Sequence, residues 1–200
     1  MTPLQTVEDL EALYGDAHPR SLTKVQTRLT PAYRAWIERS RFVVVSTVGP
    51  EGTDGSPRGD TGPVVRIADD ATLLLPDWQG NNRLDSLRNI VRDGRISLMF
   101  MVPGCTDVVR VNGSAIVTGD ADAVGRFAQN GRQPRTVVVV TVGEVYFQCA
   151  KALMRSALWA GEDQSDGLPT AGQILREAEA GFDAEDYDAA YHGNLRETLW

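Results

Sequence analysis

Residues 73–90 read LLLPDWQGNNRLDSLRNI, and this stretch gathers Asn81, Asn82, Arg83 and Ser86 within a few positions. Arg83 brings a guanidinium, which pairs with phosphate through parallel N–H bonds. Asn82 has N-cap chemistry, because its side-chain oxygen can accept from the free amides of a first helical turn. Asp85 stands where a negative charge favours a helix N-terminus. A helix over residues 83–92 would therefore set free backbone N–H groups, two asparagine amides and Arg83 at one point. Oriented donors, a helix dipole and a guanidinium are what a phosphate requires. The same residues also suit an ordinary capped surface helix with a solvated Arg83. On this stretch alone both readings stand.

Those side chains need elements to hold them. Residues 73–75 are a short apolar run, which suits a buried strand, and Pro76-Asp77 stops it. Leu84, Leu87, Ile90 and Val91 follow at helical spacing. Upstream, residues 1–40 form a helical preface. Thr6 caps a helix bearing Leu10, Leu13 and Tyr14, and Ser21 caps one bearing Val25 and Leu29. Thr30-Pro31 starts a third helix that ends near Ser40, an N-cap followed by proline at N1.

Residues 42–48, FVVVSTV, are β-branched and almost wholly apolar, as in a buried strand. Residues 49–62 hold five glycines and two prolines and read as a long loop. Further strands are expected at 63–68, 73–75, 95–102, 107–118 and 136–147, with a kink at Asn112-Gly113 and a bulge at Gly143. Asp120 caps a short helix between the last two. After a polar linker at 161–167, Thr170 caps a helix with Ile174 and Leu175. Tyr187, Tyr191, Leu195 and Leu199 then share one apolar helix face. The order predicts a mainly β chain with helices, of the α+β class. It divides into a helical extension at 1–40, a six-stranded barrel at 41–160 and a helical extension at 161–200 packed on the barrel. A doubly wound α/β fold needs a helix between nearly every pair of strands, and the first three strands lack them.

Composition narrows the function. A 42% hydrophobic share over 200 residues supports one sizeable core. A net charge of −7 argues against an extended nucleic-acid surface, though not against a local basic pocket. No run of about 18 apolar residues is present, so no membrane span is expected. Cys105 and Cys149 have no metal-ligand spacing, and His18 and His192 lie in the terminal regions. A histidine-based metal site or triad is not expected. The acidic start does not read as a secretory signal, so a cytoplasmic protein with reduced thiols is expected.

Taken together, the strand FVVVSTV with its Gly/Pro-rich turn, the segment LLLPDWQGNNRLDSLRNIVRDGRISLMF and the strand VVRVNGSAIVT resemble the FMN-binding split barrel of pyridoxamine 5'-phosphate oxidase-like flavoproteins. The resemblance covers roughly residues 36–150 and rests on the order and spacing of all three pieces. The segment QCAKALMRSALW and the terminal helices resemble a further branch of that superfamily. The oxidase's phosphate turn reads Tyr-Thr-Asn-Tyr-x-Ser-Arg-Lys. Here the nearest stretch ends in Asn82-Arg83, one cation where that pattern has two, and the oxidase's C-terminal Arg-x-His-Asp-Arg motif is absent. The resemblance thus implies FMN binding and leaves the substrate open.

It also implies roles. Asn81, Asn82, Arg83 and Ser86 become phosphate ligands. Arg58 and Asp60, in GSPRGDTGP, either reach the flavin's polar edge or sit on a surface loop. Arg66 and Arg110 each interrupt an apolar strand and face either solvent or the cofactor, where a positive group stabilises reduced flavin. Trp78 either stacks beside the cofactor or only packs. Lys151, Arg155 and Trp159, four apart, share a helix face that is either surface or a wall of the site, supplied to the same or the other subunit. The implied protein is a homodimer with FMN near its interface, an oxidoreductase taking electrons from NAD(P)H. The alternatives are a non-catalytic carrier or sensor, or a deazaflavin- or haem-binding barrel.

Overall fold

A computed structural model describes residues 1–129 and 131–197. Three short helices lead in: α1 (Val7–Tyr14), α2 (Pro19–Thr23) and α3 (Pro31–Arg39). Thr6 caps α1 within a capping box, and Thr30 caps α3 ahead of Pro31, as their sequence chemistry requires. The second helix begins earlier than Ser21 suggested. His18 caps it, its Nδ1 accepting the Arg20 N–H at 3.2 Å, with Pro19 at the first helical position.

The body is a seven-stranded antiparallel sheet in the order β2-β1-β5-β6-β7-β4-β3, the curled sheet of a split β-barrel. Its strands are β1 (Phe42–Gly49), β2 (Gly52–Gly59), β3 (Arg66–Ile67), β4 (Thr72–Asp77), β5 (Arg95–Met101), β6 (Val108–Thr118) and β7 (Thr136–Gln148). Helix α4 (Asp85–Arg92) joins β4 to β5, and α5 (Ala121–Gly125) joins β6 to β7. Six strands were expected, and the seventh is β2, read in the sequence as loop. Its residues GTDGSPRG have low strand propensity, but they pair along their whole length with β1, from Phe42 opposite Gly59 to Gly49 opposite Gly52. An edge strand tolerates Pro57, because one side of its backbone needs no partner. The strand expected at 63–68 shrinks to β3, two residues paired with Leu73 and Leu74.

The core follows the apolar faces of the strands. Val43, Leu73, Leu98, Phe100, Val111, Val140 and Val145 are fully buried, with Ile37 of α3 beside them. Burying each such side chain favours folding by about 1.5–3 kcal/mol. Between β6 and β7 the register slips: Asn112 faces Glu144, Gly113 faces Val142, and Gly143 is the extra residue of a bulge. The chains approach so closely there that a Cβ on Gly113 would lie 2.0 Å from the Thr141 carbonyl oxygen.

Helix α4 lies across β1, β2 and β6 and buries Ser86, Asn89 and Ile90. Asn89 donates to the Thr47 hydroxyl at 3.2 Å, a buried polar group finding its partner. After β7 come α6 (Lys151–Arg155), α7 (Ala171–Ala178) and α8 (Ala184–Glu197). The last two pack on each other, with the Gly172 N–H donating to Asp188 at 2.8 Å and the rings of Phe182, Tyr187 and Tyr191 in sequence. Leu195 is exposed, and Leu199 lies outside the described residues.

Candidate functional site

The barrel does not close between β2 and β4. Across that gap Arg58 of β2 meets Asp77 at the end of β4, 3.3 Å apart, both largely buried. A cleft of about 760 Å³ opens there, between β2, the turn after β4 and the start of α4.

The turn is built differently from the expected cap. Helix α4 begins at Asp85, with Leu84 at the N-cap position and no side-chain cap. Asn82 stands two residues earlier and cannot reach the first-turn amides as a cap does. Asn81 instead accepts the Arg83 N–H at 3.0 Å, closing a short Asx turn. The backbone then passes through the left-handed region twice, at Asn82 (φ 59°) and Leu84 (φ 64°). Asparagine tolerates that conformation, whereas for leucine it costs of order 1–3 kcal/mol. The result is a helix N-terminus, opening into the cleft, whose first amides no side chain among the described residues occupies.

Three guanidinium groups line the same cleft, from Arg58, Arg83 and Arg135. Arg83 is 79% exposed and pairs with Asp85. Arg135 donates through its side chain to Asn82 Oδ1 at 3.3 Å, and its backbone N–H bonds the Asp77 carbonyl, also at 3.3 Å. Ser86 is buried and donates to the Asp54 carboxylate. Burial raises the Asp77 carboxyl above its ordinary range, and the Arg58 charge opposes that rise.

The sequence candidates divide into three groups. Arg58, Trp78, Asn81, Asn82, Arg83 and Ser86 line this cleft. Asp60, Arg66 and again Trp78 line a neighbouring cavity of about 530 Å³, where the Trp78 Nε1–H donates to Asp60 at 3.3 Å. Arg110, Lys151 and Trp159 line neither. Arg110 lies over the Tyr146 ring at 5.4 Å, reaches Gln148 at 3.4 Å, and keeps a buried Nε without a partner. Lys151 is exposed at the start of α6. The helix face that was to join it to Trp159 ends early, because α6 stops at Arg155 and Ala157 turns left-handed (φ 49°). Trp159 donates to the Cys105 carbonyl at 2.8 Å. Arg135 escaped the sequence reading. Its one signal was a basic pair in GRQPR, a loop of an otherwise acidic chain.

Among the described residues no helix is long and apolar enough to cross a membrane, and no group of three or more His, Cys, Asp or Glu side chains could hold a metal ion.

The curled antiparallel sheet with a cleft at its open seam defines the class, a split-barrel protein. Residues 29–149 match the family model described as pyridoxamine 5'-phosphate oxidase, and the chain belongs to that family. Among solved structures it is similar to HupZ of Group A Streptococcus, at 18% identity and a TM-score of 0.50, over 60% of this chain and 98% of that one. It is similar also to General Stress Protein 26 of Bacillus anthracis, at 16% identity and a TM-score of 0.42, over 57% and 88% of the two chains. An FMN-binding protein of Syntrophomonas wolfei aligns at 11% identity and a TM-score of 0.43, over 72% and 97%. No curated protein sequence matches the chain.

Proposed function

We propose that this protein is an FMN-binding oxidoreductase of its family, with the cofactor's phosphate held in the cleft between β2 and the start of α4. The observation that carries this reading is the convergence of Arg58, Arg83 and Arg135, from three separate segments, on the uncapped N-terminus of α4. The donor set suits a dianion: guanidinium forks, free amides and a helix dipole of the right sign. The cleft's volume of about 760 Å³ is within the range of about 300–1,000 Å³ usual for small-molecule sites.

In this reading Arg83 leaves Asp85 to bind phosphate, and Asn82 holds Arg135 in place for it. Asp77 orients Arg58 from behind. Trp78 forms the wall along which the rest of the cofactor lies. Bound flavin supplies hydride transfer, and the chain supplies position and charge. Among the described residues the cleft's lining has no histidine or cysteine.

The same proposal includes a homodimer with FMN near its interface, NAD(P)H as electron donor and a cytoplasmic location. It also retains the division into 1–40, 41–160 and 161–200, with the last part resting on the barrel. Leu168, Ile174, Leu175 and Leu195 are exposed apolar side chains in want of such cover.

The test is reconstitution. Apoprotein is titrated with FMN and with riboflavin, then mixed anaerobically with NADPH or NADH. Tight FMN binding, weaker riboflavin binding and bleaching of the yellow colour support the reading. FMN bound without bleaching by either donor indicates a carrier. No preference for FMN over riboflavin removes the phosphate site.

A further inference from the structure

We propose that the cavity on the other side of Trp78 is a second ligand site, and that it takes a small organic carboxylate with a flat apolar body. The site stands on its own residues and does not depend on FMN.

The cavity, about 530 Å³, is bounded by Asp60, Val65, Arg66, Ile67, Trp78 and Phe127. That volume again suits a small organic molecule. Val65 and Phe127 are buried and Ile67 half-buried, so one wall is apolar. Arg66 stands against this wall with its guanidinium carbon 5.1 Å from the Phe127 ring centroid. Stacking on an aromatic face orients the planar fork and leaves its edge N–H groups free to bind.

The charges of the cavity are unequal in availability. The Asp60 carboxylate already accepts from the Trp78 Nε1–H at 3.3 Å, the Gly62 N–H at 3.1 Å and the Thr61 hydroxyl at 3.4 Å. Glu38, at the edge of the cavity, lies 3.9 Å from Arg34 on its own helix. Among the described residues no carboxylate is ion-paired with Arg66. The cavity therefore offers one uncommitted positive charge beside an apolar wall.

That pattern selects a ligand class. A cation meets Arg66 directly. A phosphate dianion finds a single guanidinium against two carboxylates, Glu38 and Asp60, whereas the cleft sets three arginines against Asp54, Asp77 and Asp85. A carboxylate matches the guanidinium fork in charge and in bidentate geometry. Its apolar body then lies along Val65, Ile67 and Phe127. Because Trp78 borders both spaces, such a ligand sits next to the cleft assigned to FMN, where a substrate would stand.

The experiment is calorimetric titration of the full-length protein with 2-naphthoate and, in parallel, with neutral 2-naphthalenemethanol. Wild type is expected to bind naphthoate more tightly than the alcohol. Arg66→Gln should weaken naphthoate by about 10- to 150-fold, the loss of one charge-assisted pair, and leave the alcohol unchanged. Arg66→Lys, which keeps the charge without the fork, should recover part of the loss. Arg83→Ala should leave naphthoate binding as it is. Circular dichroism of each variant checks the fold. No naphthoate binding to wild type, equal binding by wild type and Arg66→Gln, or loss in Arg83→Ala would each overturn the proposal. So would displacement of naphthoate by saturating FMN, which would give the cavity to the flavin itself. A protein that binds naphthoate as expected but fails to prefer FMN over riboflavin would keep this site and lose the phosphate reading.

Discussion

Among single residues, the cleft proposed to hold phosphate depends on charges drawn from distant parts of the chain. Arg83 was legible because Asn81, Asn82 and Ser86 stand beside it in the sequence. Arg135 was not, since only the pairing of β4 with β7 carries it to Asp77, where its N–H meets the Asp77 carbonyl. Arg135→Ala and Arg83→Ala should each weaken FMN binding by roughly 10- to 150-fold, the value of one charge-assisted hydrogen bond. Riboflavin affinity, measured in the same titrations, should hardly change. Equal losses for both ligands would assign these arginines to the ring or to the fold. Asp77 adds a dependence on pH. Burial raises its carboxyl above the ordinary carboxylate range, so the folded protein keeps the proton to higher pH than the unfolded chain does. Its contribution to stability is full below the unfolded value and is lost as pH rises through the folded one. Asp77→Asn is free of that loss. In urea unfolding at a series of pH values, the stability of the variant relative to wild type should therefore rise from acid to neutral pH. A constant difference would show that Asp77 titrates alike in both states.

At the element scale, the chain was readable wherever apolar periodicity was strong. The strands near 42–48, 95–102, 107–118 and 136–147 appear as β1, β5, β6 and β7 within a residue or two of those limits. Gly143 was legible as a bulge because a glycine interrupts a run of β-branched residues. β2 was hidden for the opposite reason: its glycines and Pro57 have no β preference, and only the β1 backbone makes it a strand. The start of α4 misled because Asn82 has the right type for a cap while the backbone turns left-handed at Asn82 and Leu84 before the helix begins. The glycines make separable predictions. Gly113→Ala puts a Cβ 2.0 Å from a backbone oxygen, so the β6–β7 ladder must shift. It should lower stability by about 3 kcal/mol, the upper end for overpacking. Gly55→Ala meets nothing within 4 Å and should be neutral or slightly stabilising. Thermal unfolding of the two variants beside wild type decides this, and matching midpoints would show that the bulge yields freely.

At the scale of the whole molecule, hydrophobic surface remains uncovered. Ile116 is 64% exposed on β6 and Phe147 46% exposed on β7, although both belong to strands. The apolar run TVVVVTV in β7 is covered within the chain itself, with Val137, Val138, Val140 and Val142 buried, so the uncovered surface is that of Ile116 and Phe147. The cover for those two side chains was not legible, because sequence patterning tells how apolar a face is and not what lies against it. In the homodimer proposed here a second copy supplies it. Light scattering at micromolar concentration should return twice the chain mass with cofactor bound. A monomer mass under those conditions would contradict it.

The open seam between β2 and β4 also leaves a kinetic signature. β2 ends the sheet order, so each of its backbone groups faces either β1 or the gap. In an antiparallel edge strand these orientations alternate along the chain. The amide protons of β2, of which Pro57 has none, should therefore exchange with deuterium in two populations, slow where they bond to β1 and fast where they face the gap. A ligand seated in the cleft shields the fast population and leaves the slow one as it was. Exchange along this one glycine-rich strand would then report cleft occupancy directly, without any chromophore or turnover.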